Sequence, residues 1–370
     1  MKKHTEQLFA ATAPGLEGVC ATELIALGIP GVKAVPGGVE FCGGLRELYL
    51  TNLWLRTASR VVARLGEVRC RDFPTLYRKA LRLPWGRYVK PGTRLQVRVT
   101  SRRSRLQHTE RISDTLKEAM VKALGGVGAE ENVPKQLLIV SLEDDICRLS
   151  LDSSGELLHR RGYRQDIGPA PLRETLAAGI LMLLDWQGNR PLFDPMCGSG
   201  TFLVEGALLA LQRPPGAQRK FAFMDWPRYR PGLWQALLLE AAKQEKNSCP
   251  MLVGADRETT VIDAARQNAK RAGVEEYLSF QPLELNQHFS PPAAPPGLAL
   301  SNPPYGTRLG RGELDDTYRA LGRVYRQVLP EWQRAFLCPE PRLAKRIGLP
   351  LAQAASLQNG GIRVGLFTVE

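Results

Sequence analysis

From Glu174 onward the chain alternates apolar helices with short apolar strands, and this alternation restricts the fold more than any other feature. "ETLAAGILMLLDW" reads as a helix, "PLFDP" as a buried strand end and "GTFLVEGALLALQ" as the next helix. "MLVGAD", "LSFQPLEL", "LALSNPP" and "RAFLCP" read as further strands, with "TVIDAARQNAKRAG" a helix after the first of them. Repeated strand–helix units give a doubly wound α/β domain with a mostly parallel sheet. Sheets of that kind bind ligands at the carboxyl ends of their strands, where the strand order reverses. Function is therefore expected at those ends.

Four strand ends carry polar residues. In "FDPMCGSGT", Gly198 and Gly200 allow a tight turn and close backbone approach, and Asp194 sets a carboxylate beside them. A dinucleotide fingerprint would have no acid in front of its glycines, so this loop favours a cationic or hydroxyl-bearing ligand over a pyrophosphate. Asp256, ending "LVGAD", can accept both hydroxyls of a ribose. Glu284, ending "FQPLEL", can meet an amino group such as that of adenine. Each acid alone is weak, because acids are common in strand-ending turns.

The fourth end is "SNPPYG". Two prolines stop ladder pairing and offer no N–H. The Asn302 side-chain oxygen and the Pro303 carbonyl can each accept one N–H of an amine. Tyr305 offers a face on which a flipped or unpaired base stacks. An exocyclic base amine is a poor nucleophile, since its lone pair is delocalised into the ring. Two acceptors would orient it and stabilise charge as the nitrogen becomes tetrahedral.

Residues 1–156 read differently. "EQLFAATA", a helix over "PGLEGVCATELIALG", and a hairpin around Pro36–Gly38 are followed by an alternating strand in "TRLQVRVTS". An amphipathic helix in "TERISDTLKEAMVKALG" and a hairpin turning at Glu143–Asp145 complete a set of small α+β units. Net charge is +13, and residues 46–111 hold 17 basic against 4 acidic residues, which accounts for all of it. A positive block of this kind is expected to meet a polyanion, with "SRRSR" (Arg102, Arg103, Arg105) its densest part. A solvated basic face is the plainer alternative.

At 44% apolar and 24% charged residues the chain can bury real cores. No apolar run reaches the roughly 18 residues of a membrane span, and "MKKHTEQLFA" lacks the apolar core of a signal peptide. The 7 cysteines form no CxxC pair and the 4 histidines no cluster, so neither a zinc site nor a disulfide framework is expected. A cytoplasmic, metal-free enzyme is the expectation.

The ordered set of glycine loop, Asp256, Glu284 and NPPY resembles the class I methyltransferases that use S-adenosylmethionine (SAM). Over nearly the whole chain, "LFAATAPGLEGVCATEL", "GGVEF", "HRRGYRQDIGPAPLRETLAA", "DPMCGSGTFLVEGA" and "SNPPYGTRL" resemble the bacterial 23S rRNA guanine-N2 methyltransferases of the large subunit methyltransferase L family. The resemblance implies a ferredoxin-like segment over 1–45, a THUMP RNA-binding domain over 46–156 and a Rossmann-like catalytic domain over 160–370. It also implies that Thr175 and Leu176 in "RETLAA" close over SAM. Asp194, Gly198, Gly200, Asp256, Glu284 and Asn302 would then contact SAM, and Asn302, Pro303 and Tyr305 hold the target base. The implied partner is structured RNA: 23S rRNA or a precursor particle, with tRNA the alternative. Thr307 departs from the acid expected after "NPPYG". The tetrapeptide also serves adenine N6, cytosine N4 and glutamine amides, but a protein-directed enzyme has little use for a basic module. A DNA adenine methylase usually carries a larger insertion than "RPPGAQRKFAFMDWPRYRPGLW" at 213–234.

Overall fold

The structure is a computed structural model that describes residues 5–126, 135–165, 172–287, 295–305 and 311–370. Thr307, His4, His288 and most of the proline-rich stretch at 290–297 fall outside the described residues.

Two seven-stranded sheets organise the chain. The first holds β1 (Glu6–Thr12), β2 (Lys33–Val35), β3 (Gly38–Gly43), β4 (Ala58–Arg69), β5 (Leu95–Arg102), β6 (Gln136–Glu143) and β7 (Ile146–Asp152). Their order is β2-β3-β1-β4-β7-β6-β5, with β5 and β6 parallel and the rest antiparallel. Helices α1 (Glu17–Ala26), α2 (Leu45–Trp54), α3 (Phe73–Ala80) and α4 (Thr109–Ala123) accompany these strands. The helix α4 forms where the apolar spacing predicts it, burying Ile112, Leu116, Ala119 and Met120 on one face. The helix α3 starts at Asp72, whose carboxylate accepts the Thr75 N–H at 2.7 Å.

The strand β4 explains why the first sheet is continuous. It pairs with β1 from Leu8↔Ala63 and with β7 from Val62↔Asp152 to Arg69↔Ile146. One 12-residue strand thus joins the hairpin-bearing N-terminal unit to the β5–β6–β7 unit. In "ASRVVARLGEVR" the run Val61–Ala63 is buried without a break, as expected for a central strand covered on both faces. A clean two-residue alternation is consequently missing there.

The second sheet holds β8 (Leu192–Asp194), β9 (Leu252–Asp256), β10 (Leu278–Pro282), β11 (Leu298–Ser301), β12 (Gln333–Cys338), β13 (Leu351–Asn359) and β14 (Ile362–Val369). The order β10-β9-β8-β11-β12-β14-β13 is parallel except where β14 pairs antiparallel with β12 and β13. Helices α5 (Glu174–Leu183), α6 (Thr201–Ala210), α8 (Thr259–Arg271) and α9 (Arg311–Arg323) accompany this sheet, whereas α7 (Pro231–Gln244) buries Trp234, Leu237 and Ala241 in the core of the first sheet. From β8 the chain builds outward through β9 and β10, then returns to the other side of β8 with β11. The switch point therefore lies between Asp194 and Ser301.

The stretch 213–234, read from sequence as a small insertion, locks the two halves together. Its Phe221, Phe223, Trp226 and Trp234 are buried in the core of the first sheet, not the second. Phe223 stacks on Tyr49 with centroids 4.3 Å apart, and Trp226 Nε1 donates to Gln136 Oε1 at 2.7 Å. Arg228 forms an ion pair with Glu6 of β1. A buried polar group adds to the seam: Arg161 donates to the Arg56 carbonyl at 2.6 Å and faces Glu205, which also accepts from the Tyr163 hydroxyl at 3.0 Å. Among the described residues, no helix is long and apolar enough to cross a membrane.

Candidate active site

The strand β8 ends on Asp194, which is 2% exposed. Burial pushes its carboxyl well above the usual carboxylate range; the Met196 N–H that it accepts at 3.0 Å opposes the shift, and the Asp256 charge adds to it. No basic side chain partners Asp194 among the described residues. A buried acid without a cation, at a switch point, is a functional signal.

Gly198 (φ 53°) and Gly200 (φ 80°) both occupy the left-handed region as the chain turns from β8 into α6. They differ in what a side chain would meet. A Cβ on Gly200 would stand 3.1 Å from Ala265 and 3.2 Å from Phe280, whereas one on Gly198 would meet nothing. Packing thus fixes Gly200, and Gly198 presents bare backbone to open space.

Asp256 ties the ends of β8 and β9 together. Its Oδ2 accepts the Gly198 N–H at 2.9 Å and its Oδ1 the Glu258 N–H at 3.1 Å. Each oxygen keeps a lone pair for a ligand hydroxyl. The loop has a further support that the sequence reading missed: Asn268, fully buried on α8, donates to the Ser199 carbonyl at 3.1 Å. Its signal was present, since Asn268 falls on the same buried stripe as Ile262 and Ala265.

At the end of β11, Pro303 is buried and Asn302, Pro304 and Tyr305 are half-buried. The Asn302 Oδ1 atom is shielded from solvent yet has no hydrogen-bond partner among the described residues. A buried amide oxygen left unpaired is costly, so it is a place where a ligand donor is expected.

One cavity of about 890 Å³ gathers Asp194, Gly198, Asp256, Glu284, Asn302 and Tyr305 along its wall, with Pro303 beside them. The four strand-end signals thus converge. Leu172 and the α9 residue Glu313 line the same space, the latter 3.7 Å from Arg257 in an ion pair. Sequence reading named none of these three; Glu313 in particular reaches the cavity only through the tertiary packing of helix α9. Gly200 stands behind the wall. Thr175 and Leu176 also lie off it: both are buried in the first turn of α5, where Leu176 shares an apolar cluster with Leu172, Cys197 and Phe202.

Arg102, Arg103 and Arg105 are exposed on the first sheet, at and just beyond the end of β5. Arg103 is engaged locally, with Nη2 2.6 Å from Glu143 and Nε 3.0 Å from Asp144. The wider basic block divides similarly. Arg56 is buried against the Leu208 and Arg213 carbonyls, Arg60 pairs with buried Asp152, and Arg87 pairs with Glu6. Arg69, Arg82, Lys90, Arg94 and Arg98 are exposed or half-exposed. Among the described residues, no group of three His, Cys, Asp or Glu side chains could hold a metal ion.

Residues 161–365 match the family described as RMKL-like, methyltransferase domain; residues 7–62 match the RlmL ferredoxin-like domain and 70–152 the THUMP domain. A Synechocystis sp. protein provisionally named an RNA methyltransferase is 36% identical over 99% of this chain and 97% of its own length. The ribosomal RNA large subunit methyltransferase K/L of Syntrophotalea carbinolica is 37% identical over 98% of this chain, which spans only 53% of that relative. A solved structure of a protein provisionally called a methyltransferase, complexed with SAH, superposes with a TM-score of 0.90 at 31% identity, covering 100% of this chain and 98% of that one.

Proposed function

The chain belongs to the RMKL-like methyltransferase family, with ferredoxin-like and THUMP domains ahead of a class I catalytic domain, and from that premise we propose that it methylates the N2 amine of a guanine in 23S rRNA. The Asn302 Oδ1 in the cavity wall, without a partner among the described residues, carries the reading, because it is an acceptor awaiting an N–H. The name of the Syntrophotalea relative supports large-subunit rRNA as the substrate. We place the domains at 1–45, 46–156 and 160–370, with β4 running through the first two sets of strands as one shared strand.

The residues present fit SAM as the methyl donor. Asp194 is a buried acid with no cation beside it among the described residues, Asp256 offers two oxygens to a diol, and Glu284 lines the same wall to accept from an amine. Gly198 lets the ligand approach the backbone, and Gly200 holds the turn in shape. Thr175 and Leu176 support this side of the site from α5. SAM supplies a methyl group on a sulfonium, an electrophile with its own leaving group.

The chain's part is positioning and electrostatics. Asn302 Oδ1 and the Pro303 carbonyl accept the two N–H groups of the amine, turning its lone pair towards the methyl carbon. Positive charge would grow on the nitrogen during methylation, and the two oxygens already point at it. The nitrogen would then give one proton to solvent water, restoring the neutral amine. Tyr305 stacks on the base, and Arg102, Arg103 and Arg105 contribute to the RNA-facing surface of the THUMP unit. The test is transfer of labelled methyl from SAM to total RNA from cells lacking the gene, followed by fractionation and nucleoside analysis. Label in N2-methylguanosine of 23S rRNA is expected. Label in tRNA would overturn the substrate, and label in N6-methyladenosine the base.

A further inference from the structure

The turn between β13 and β14 is two glycines, Gly360 (φ 56°) and Gly361 (φ 93°), the arrangement that matches the twist of a tight hairpin. It places Asn359, the last residue of β13, opposite Ile362 with 7% of its surface exposed. From there Asn359 Nδ2 donates to the Tyr305 hydroxyl at 2.8 Å, across 54 residues of sequence. Tyr305 itself has left the sheet: two prolines precede it, and its half-buried ring packs on the apolar core while lining the cavity. Prolines fix the backbone before Tyr305 but leave its side chain free to choose among rotamers. A hydrogen bond at the far end of the ring restrains that swing, since any change of χ1 carries the hydroxyl away from Asn359.

The geometry points to Asn359 as a positioning residue that holds Tyr305 in the rotamer facing the cavity, where the target base stacks. The inference rests on the stacking role proposed for Tyr305. It makes the hydroxyl matter as well as the ring, so Tyr305→Phe is impaired although stacking area is kept.

The experiment compares full-length Asn359→Ala, Tyr305→Phe, their double variant and Tyr305→Ala. Single-turnover methyl transfer is measured at saturating total RNA from cells lacking the gene, with SAM affinity by calorimetry and thermal unfolding alongside. Asn359→Ala and Tyr305→Phe are each expected to slow transfer about threefold to tenfold, the scale of one net hydrogen bond. SAM affinity stays unchanged, and the double variant is no slower than either single one. Additive losses, or a wild-type rate in Asn359→Ala, overturn the inference. If Asn359→Ala does not fold, Tyr305→Phe tests the same bond, and a wild-type rate there is equally fatal. A strongly impaired Tyr305→Ala beside normal Tyr305→Phe and Asn359→Ala sinks the anchoring alone. A normal Tyr305→Ala sinks the stacking role itself.

Discussion

The two sheets handle charge in opposite ways. At the carboxyl ends of the second sheet, the polar groups proposed for the chemistry are individually fixed: among the described residues Asp194 is buried without a cation, Asp256 accepts two backbone N–H groups, and Asn302 Oδ1 has no partner. On the first sheet, cations are many and exposed, and those that are buried serve the fold. Chemistry on one nitrogen needs groups fixed to a fraction of an ångström. Holding a flexible polyanion needs charge spread over a surface, where no single contact dominates. Losses from single substitutions should therefore be steep on the second sheet and shallow on the first.

The steepest is expected at Asn302. Removing one preorganised group of this kind costs about 10²–10³ in rate, so Asn302→Ala should lose that much in single-turnover methyl transfer. RNA affinity should survive, and SAM affinity should change far less than the rate. Near-wild-type turnover would erase the contrast at its strongest point. Next comes Asp256, where two roles meet in one carboxylate. Asp256→Ala should weaken SAM binding by about 1–3 kcal/mol, the scale for charged hydrogen bonds. Unchanged calorimetric affinity would remove Asp256 from the ribose role and leave it only as the loop's brace. Asp256→Asn sharpens the distinction, because an amide oxygen can still accept one of the two N–H groups.

The contrast also explains what was legible in the sequence. Strand ends of the second sheet follow βα alternation, a local pattern, so Asp194, Asp256, Glu284 and Asn302 could be named from spacing. Asn359 could not, because its tie to Tyr305 depends on how an antiparallel hairpin folds back beside β12. Glu313 was missed for a similar reason, since helix α9 meets the cavity only in three dimensions. On the first sheet the summed charge was legible and its partition was not. Nothing in "LWLRTASRVVARL" separates Arg56, buried on carbonyls of the catalytic half, from residues that face solvent. The aromatic residues 221–234 read as an insertion because their packing partners lie far back in the chain.

Charge reversal across the surface is expected to have an intermediate effect. Arg102, Arg103 and Arg105 changed together to Glu should weaken RNA binding at low salt and flatten its salt dependence, with SAM affinity untouched. Filter binding over several salt concentrations reads both. A variant with wild-type affinity and slope would mean that this edge of β5 is a solvated face and that RNA docks elsewhere.

The smallest expected effect separates two neighbours, Arg102 and Arg103. Arg102 ends β5 with its side chain in solvent, whereas the Arg103 guanidinium lies between Glu143 and Asp144. Those ion pairs are exposed, so they contribute little to stability. They do decide which positive charge is open to a phosphate. Removing one arginine–phosphate pair should reduce the slope of log affinity against log salt by about 0.7–0.9. Arg102→Ala should show that reduction. Arg103→Ala should leave the slope unchanged while lowering affinity slightly at low salt, because it uncovers two carboxylates facing the RNA. Glu143→Gln with Asp144→Asn should then act in the opposite direction, tightening binding by freeing Arg103. An equal slope change in Arg102→Ala and Arg103→Ala would show that RNA displaces the two acids and takes both arginines.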